Sequence, residues 1–219
     1  ALVMNSFGVT LNSGTFSTDN YNVTITNVVS AFSTTRTISL GSSTVTLTTN
    51  GTVWNITSTG LTFTGTGTIS LTNASSKSFA GGGVAYTNIT LNQGGAGALT
   101  IQGDNTFKDI TNTYKSTGAA NINIGTTTQR VSQWTGAGEA GRLLTVQGSS
   151  ASSPGTLILT SAVKPNVDYL TITGVRAYAL TDTWYAGANS LNNSSLGWIF
   201  SAAPAAASTG NFFLMFWPA

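Results

Sequence analysis

Apolar and small polar residues trade places along most of this chain. Thr44-Val-Thr-Leu-Thr48 and Ile38-Ser-Leu40 are typical. A repeat of two puts apolar side chains on one face of an extended strand and hydroxyls or amides on the other. The pattern predicts strands centred on Val9–Leu11, Val23–Ile25, Ile38–Leu40, Val45–Leu47, Val53–Ile56, Leu61–Phe63 and Ile69–Leu71. It continues at Ile89–Leu91, Leu99–Ile101 and Ile122–Ile124, then at Leu143–Val146, Leu157–Thr160 and Tyr169–Thr173. Turn residues separate them, as at Asn12-Ser-Gly14, Asn50-Gly51, Gly65-Thr-Gly67 and Gly81-Gly-Gly83. The glycines and the β-branched residues both oppose helix.

Many short, evenly spaced strands suit two architectures. One is an antiparallel β-sandwich. The other is a solenoid whose coils each add short strands to parallel sheets. Near-copies at Val45-Thr-Leu-Thr48, Ile69-Ser-Leu-Thr72 and Ile89-Thr-Leu-Asn92 favour the solenoid. Their spacing implies a coil of roughly 20–25 residues. The expected fold is therefore all-β, a parallel β-helix or solenoid. Residues 1–175 would form the body and residues 176–219 an irregular, aromatic-rich cap and tail.

Composition reinforces the pattern. Only 6% of the 219 residues are charged, against about 25% in an ordinary domain. Stacked coils repeat equivalent positions every ~4.8 Å, where like charges repel and Thr or Asn can pair. The eight basic residues are scattered singly (Arg36, Lys77, Lys108, Lys115, Arg130, Arg142, Lys164 and Arg176) and read as isolated solvated charges. They give no footprint for nucleic acid. No apolar run reaches the ~18 residues of a membrane span, so membrane insertion is not expected.

The absence of His and Cys removes Ser-His-Asp and Cys-His catalysis and the usual zinc sites. Glycan cleavage would need paired carboxylates. The acids Asp19, Asp104, Asp109, Glu139, Asp168 and Asp182 instead read as turn or surface residues. No enzyme activity, cofactor or metal is expected.

Aromatic residues gather late, at Tyr178, Trp184, Tyr185, Trp198 and Phe200. Two readings follow. Trp184, Tyr185, Asn189 and Trp198, with Asn192 nearby, could form an exposed platform for sugar rings. The same residues could pack the last coil and close the solenoid, which is the favoured reading. Trp54 and Trp134 read as core or interface. The run Phe212-Phe213-Leu214-Met215-Phe216-Trp217 is too short to cross a bilayer and apolar enough to mark an oligomer interface.

Several segments together carry a resemblance. They are Gly103-Asp-Asn-Thr-Phe-Lys-Asp-Ile110, Tyr169-Leu-Thr-Ile172, Thr183-Trp-Tyr-Ala-Gly-Ala-Asn-Ser190 and Gly197-Trp-Ile-Phe200. With Arg36–Leu47, Val53-Trp54 and Gly210–Phe216, they resemble a module of β-solenoid fibre, spike or adhesin-like virion proteins of tailed, especially aquatic, bacteriophages. The resemblance implies a non-enzymatic structural part of a virion, a tail fibre or spike component for host attachment. A head fibre or capsid decoration protein is the alternative. A cell-surface adhesin or extracellular filament subunit is a further one. Fibrous virion proteins are commonly homotrimers, so the expected partners are further copies of the chain, other virion proteins and a host surface glycan.

Overall fold

All pairings between the described strands of the computed structural model are parallel. That excludes the antiparallel sandwich and makes the chain a β-solenoid of about 8 turns. The structure describes residues 2–3, 7–115, 120–179 and 184–204. No helix occurs among them, and none is long and apolar enough to cross a membrane.

Two nine-stranded sheets run the length of the rod. The first stacks, in order, Leu2–Val3, Val23–Ile25, Thr44–Leu47, Thr68–Leu71, Ala85–Gln93, Thr106–Asn112, Thr128–Trp134, Gly155–Leu159 and Val175–Ala179. The second stacks Val9–Thr10, Val28–Ser30, Gly51–Ile56, Lys77–Ala80, Leu99–Gln102, Asn121–Gly125, Leu144–Gly148, Leu170–Thr173 and Leu191–Asn193. A third, three-stranded sheet of Gly14–Ser17, Arg36–Ser39 and Leu61–Thr64 closes the early coils. Beyond it, longer strands turn the corner themselves. Ala85–Gln93 pairs Tyr86 with Phe107, shifts register, then pairs Leu91 with Ile110. Residues beyond 175 still add a strand to each long sheet.

Register explains the alternation. On the first sheet Val23, Val45, Ile69, Leu91, Ile110 and Trp134 lie one above another, all buried. The intervening column, facing away from the core, is Thr24, Thr46, Ser70, Asn92 and Thr111, in which Ser70 and Asn92 are themselves buried. Asn92 donates from Nδ2 to Ser70 Oγ at 2.9 Å and to Thr113 Oγ1 at 2.8 Å, so neutral side chains bond from coil to coil. Partners one coil apart are 22 residues apart at Ser42 and Asn20, and 25 at Asn73 and Thr48.

The near-copies do not all align as the sequence suggests. Ile69 pairs with Val45, but it faces Leu91 rather than Ile89. This displacement sets Gln93 beside Leu71, and the inward column runs Ile25, Leu47, Leu71, Gln93, Asn112. The two amides satisfy corner carbonyls. Gln93 Nε2 reaches Gly97 O at 2.6 Å, and Asn112 Nδ2 reaches Ala137 O at 3.0 Å.

Stacking also needs close backbone approach at corners. A Cβ on Gly67 would lie 1.9 Å from Ser43 O, so only glycine fits there. In the middle of the rod Trp54 stacks on Phe79 at 5.8 Å and donates from Nε1 to Tyr86 Oη at 3.1 Å; Tyr86 in turn donates to Gly81 O. Trp54 and Trp134 are core residues.

Two basic residues correct the expectation of solvated single charges. Arg36 and Lys77 are each 1% exposed. Corners between sheets leave carbonyls turned inward, and a long cation can satisfy them. Lys77 Nζ donates to Gly97 O at 2.7 Å.

Candidate functional site at the C-terminal coils

The aromatic residues meet inside the last coils. Trp184 and Trp198 pair on neighbouring short strands, Trp184–Tyr185 and Trp198–Ile199. Their rings sit edge to face at 4.9 Å, and Trp184 lies 6.2 Å from Trp134. Trp184 is fully buried and Trp198 is 8% exposed. An exposed platform made of these rings is therefore not what the fold provides; the indoles fill the interior of the closing coils. The cause is the strand pairing: residues paired across parallel strands share a face, and here that face is the inner one. Trp134 donates to Gly136 O at 2.8 Å and Trp184 to Tyr178 O at 3.0 Å. Tyr185 is half-buried and Asn189 exposed. The candidate interface residues Phe212, Phe213, Leu214, Met215, Phe216 and Trp217 lie outside the described residues, as does Asp182.

Asp168 holds this end together. Its carboxylate accepts from Tyr169 N at 2.8 Å, Asn189 N at 2.9 Å and Asn189 Nδ2 at 2.6 Å, with Ser190 Oγ at 3.5 Å. Partial burial alone would raise its pKa. The bonds from Asn189, Tyr169 and Ser190 outweigh that and leave it below the usual carboxylate value. Gly187 makes the approach feasible: its φ is +79°, and a Cβ there would lie 2.3 Å from the Asp168 carboxyl.

Asp109 does the same work one face away. It is 4% exposed and accepts from Thr135 N at 2.9 Å, Thr135 Oγ1 at 2.5 Å and Gln133 Nε2 at 3.2 Å. Both acids thus join successive coils, which corrects their reading as turn or surface residues. Asp104 likewise accepts from Thr128 N at 2.8 Å across a coil. Asp19 sits in a turn at φ 47°, bonded to Ser17, and Glu139 pairs with Arg142 at 2.8 Å. Among the described residues no group of three His, Cys, Asp or Glu could hold a metal ion.

A groove of about 410 Å³ opens beside the tryptophan column. It is lined by Gln133, Trp134, Thr135 and Ala137 from one stretch of chain and residues 163–168 from another, with Gly187 and Ala202. The segment is held in place by Val167, which donates to Tyr185 O at 3.2 Å, and by the bridge of Asn166 to Tyr185. Asn166 Oδ1 accepts from Ala203 N at 3.4 Å. Sequence reasoning placed chemistry in the rings and missed this groove. Its lining residues are separated in sequence and carry no motif; only the stacking of coils brings them together.

No family model, curated protein or solved structure matches this chain. What the geometry defines is a class: a parallel β-solenoid with a tryptophan-filled end and a mixed polar and apolar groove beside it.

Proposed function

We propose that the protein is a non-enzymatic structural component of a bacteriophage particle, a tail fibre or spike-type part that serves host attachment. One observation carries the reading. The column of the first sheet that faces away from the core is neutral Thr, Ser and Asn, while Asp104, Asp109 and Asp168 each bond from coil to coil. Such a surface suits close packing of copies and contact with a host surface, and among the described residues these three carboxylates are engaged in bonds between coils rather than free for bond cleavage. Assembly as a homotrimer and contact with other virion proteins belong to the same proposal. A head fibre or capsid decoration role uses the same rod at another position on the particle.

Immunogold labelling of intact particles against this chain tests the reading. Label on tail fibres or spikes is the expected result. Label on the head moves the role to capsid decoration. Absence from particles, with label on cell surfaces, overturns the proposal in favour of an adhesin. Release of oligosaccharides from host surface material by the purified protein would overturn its non-enzymatic part.

A further inference from the structure

The valences left over in the groove are specific. Gln133 gives one Nε2 proton to Asp109, which leaves Oε1 as an acceptor and the second Nε2 proton as a donor. Thr135 gives its hydroxyl proton to the same carboxylate, which leaves the lone pairs of Oγ1. Asn166 Oδ1 takes Ala203 N, and its Nδ2 remains a donor. Asp168 spends its carboxylate on Asn189, Tyr169 and Ser190. Ala137, Val163, Pro165 and Val167 supply apolar wall between these groups, and Lys164 adds a basic side chain to the lining. The groove therefore combines acceptors and donors with flat aliphatic surface. Its volume lies within the ~300–1,000 Å³ of small-ligand sites.

We propose that this groove binds a neutral, polyhydroxylated ring, one or two units of a saccharide. Each hydroxyl of such a ring both donates and accepts, matching Gln133 Oε1 and Thr135 Oγ1 on one wall and Asn166 Nδ2 on the other. The C–H face of the ring matches Val163 and Pro165. Buried Asp109 acts as a positioning residue: it turns the two groups on its wall so that acceptors remain. The inference rests on the host-attachment reading and moves its contact point from the indole rings to the groove beside them.

The test uses the full chain, ¹⁵N-labelled, titrated with glucose, galactose, N-acetylglucosamine and, separately, sodium glucuronate. Saturable shifts of the Gln133 and Asn166 side-chain amides with at least one neutral sugar are expected. Asn166→Ala and Val163→Arg, both at exposed positions, should each weaken binding about tenfold, the effect of losing roughly one hydrogen bond or contact. No saturable shift with any neutral sugar overturns the proposal. So does response to glucuronate alone, shifts confined to other surfaces, or undiminished binding by both variants. The particle-labelling result is independent of all these outcomes, so a failed groove does not by itself remove the virion role.

Discussion

Arg36 donates to Ser30 twice, from Nε to the hydroxyl at 2.5 Å and from Nη2 to the backbone carbonyl at 2.7 Å. Its remaining donors reach Thr34 O at 2.9 Å, Thr59 O at 2.7 Å and Thr57 O. A buried guanidinium is thus satisfied by neutral oxygens from two successive corners. Arg36→Ala leaves Thr34 O, Thr57 O and Thr59 O without their guanidinium donor, while Ser30 O keeps Thr57 N, and should destabilise by roughly 3 kcal/mol or more. Arg36→Lys, with three donors instead of five, should recover only part. Denaturant midpoints measure both. Equal stability of Arg36→Ala and the native chain would show that the corner closes without the cation.

Lys77 gives the rod an unusual alkaline response. Burial lowers its pKa from 10.5 to about 8. Between those values the unfolded chain binds the proton that the folded chain has released, so stability rises with pH across that window. The gain is on the order of 1–2 kcal/mol after allowing for partial screening. Burial pushes the Tyr86 hydroxyl above its ordinary value of 10.0, against the opposing bond from Trp54. Above pH 10 the unfolded state ionises this tyrosine first, and stability falls. Urea midpoints from pH 7 to 11 should rise and then turn over. Lys77→Met should shrink the rise, with Lys115, whose pKa burial also lowers, keeping part of it, and should leave the fall.

At the other end of the scale, Asp168 contributes stability above its unfolded pKa of about 3.8. That contribution is lost as pH drops through the lower folded value. Asp168→Ala should loosen the last coil at neutral pH. Amide exchange at Tyr169 and Asn189 should quicken, while Ile69 and Leu91, deep in the rod, should not change. Uniform quickening would mean that the last coil and the middle open together.

The displaced repeat makes a fourth prediction. Gln93→Leu continues the Leu47 and Leu71 column and removes Gln93 Oε1, a buried acceptor with no partner. Gly97 O keeps Lys77 as donor, and Asn121 O gives up a longer bond from Gln93 Nε2 at 3.2 Å. The variant should lie within about 1 kcal/mol of the native chain, whereas Leu71→Gln should cost about 2–4 kcal/mol by placing an amide in the apolar column. Thermal and urea melts compare the two.

Alternation made the parallel solenoid legible at Val45–Leu47 and Ile69–Leu71, where one residue in two is apolar and the coils align. It failed at Lys77–Ala80 and Thr128–Trp134. There the inward positions are Lys77 and Gln129, which satisfy corner groups that no local pattern displays. The packing of Trp184 and Trp198 inside the last coils was readable from the need to fill a solenoid's interior. The groove was not, because Gln133 and Asn166 become neighbours only through the number of residues in the intervening coil.

The backbone hydrogen bonds between coils point along the rod. Tension applied end to end would therefore peel terminal turns away singly, each against a few bonds. A sideways load must bend two long sheets at once. Such a body yields gradually when pulled and stays straight when pushed from the side.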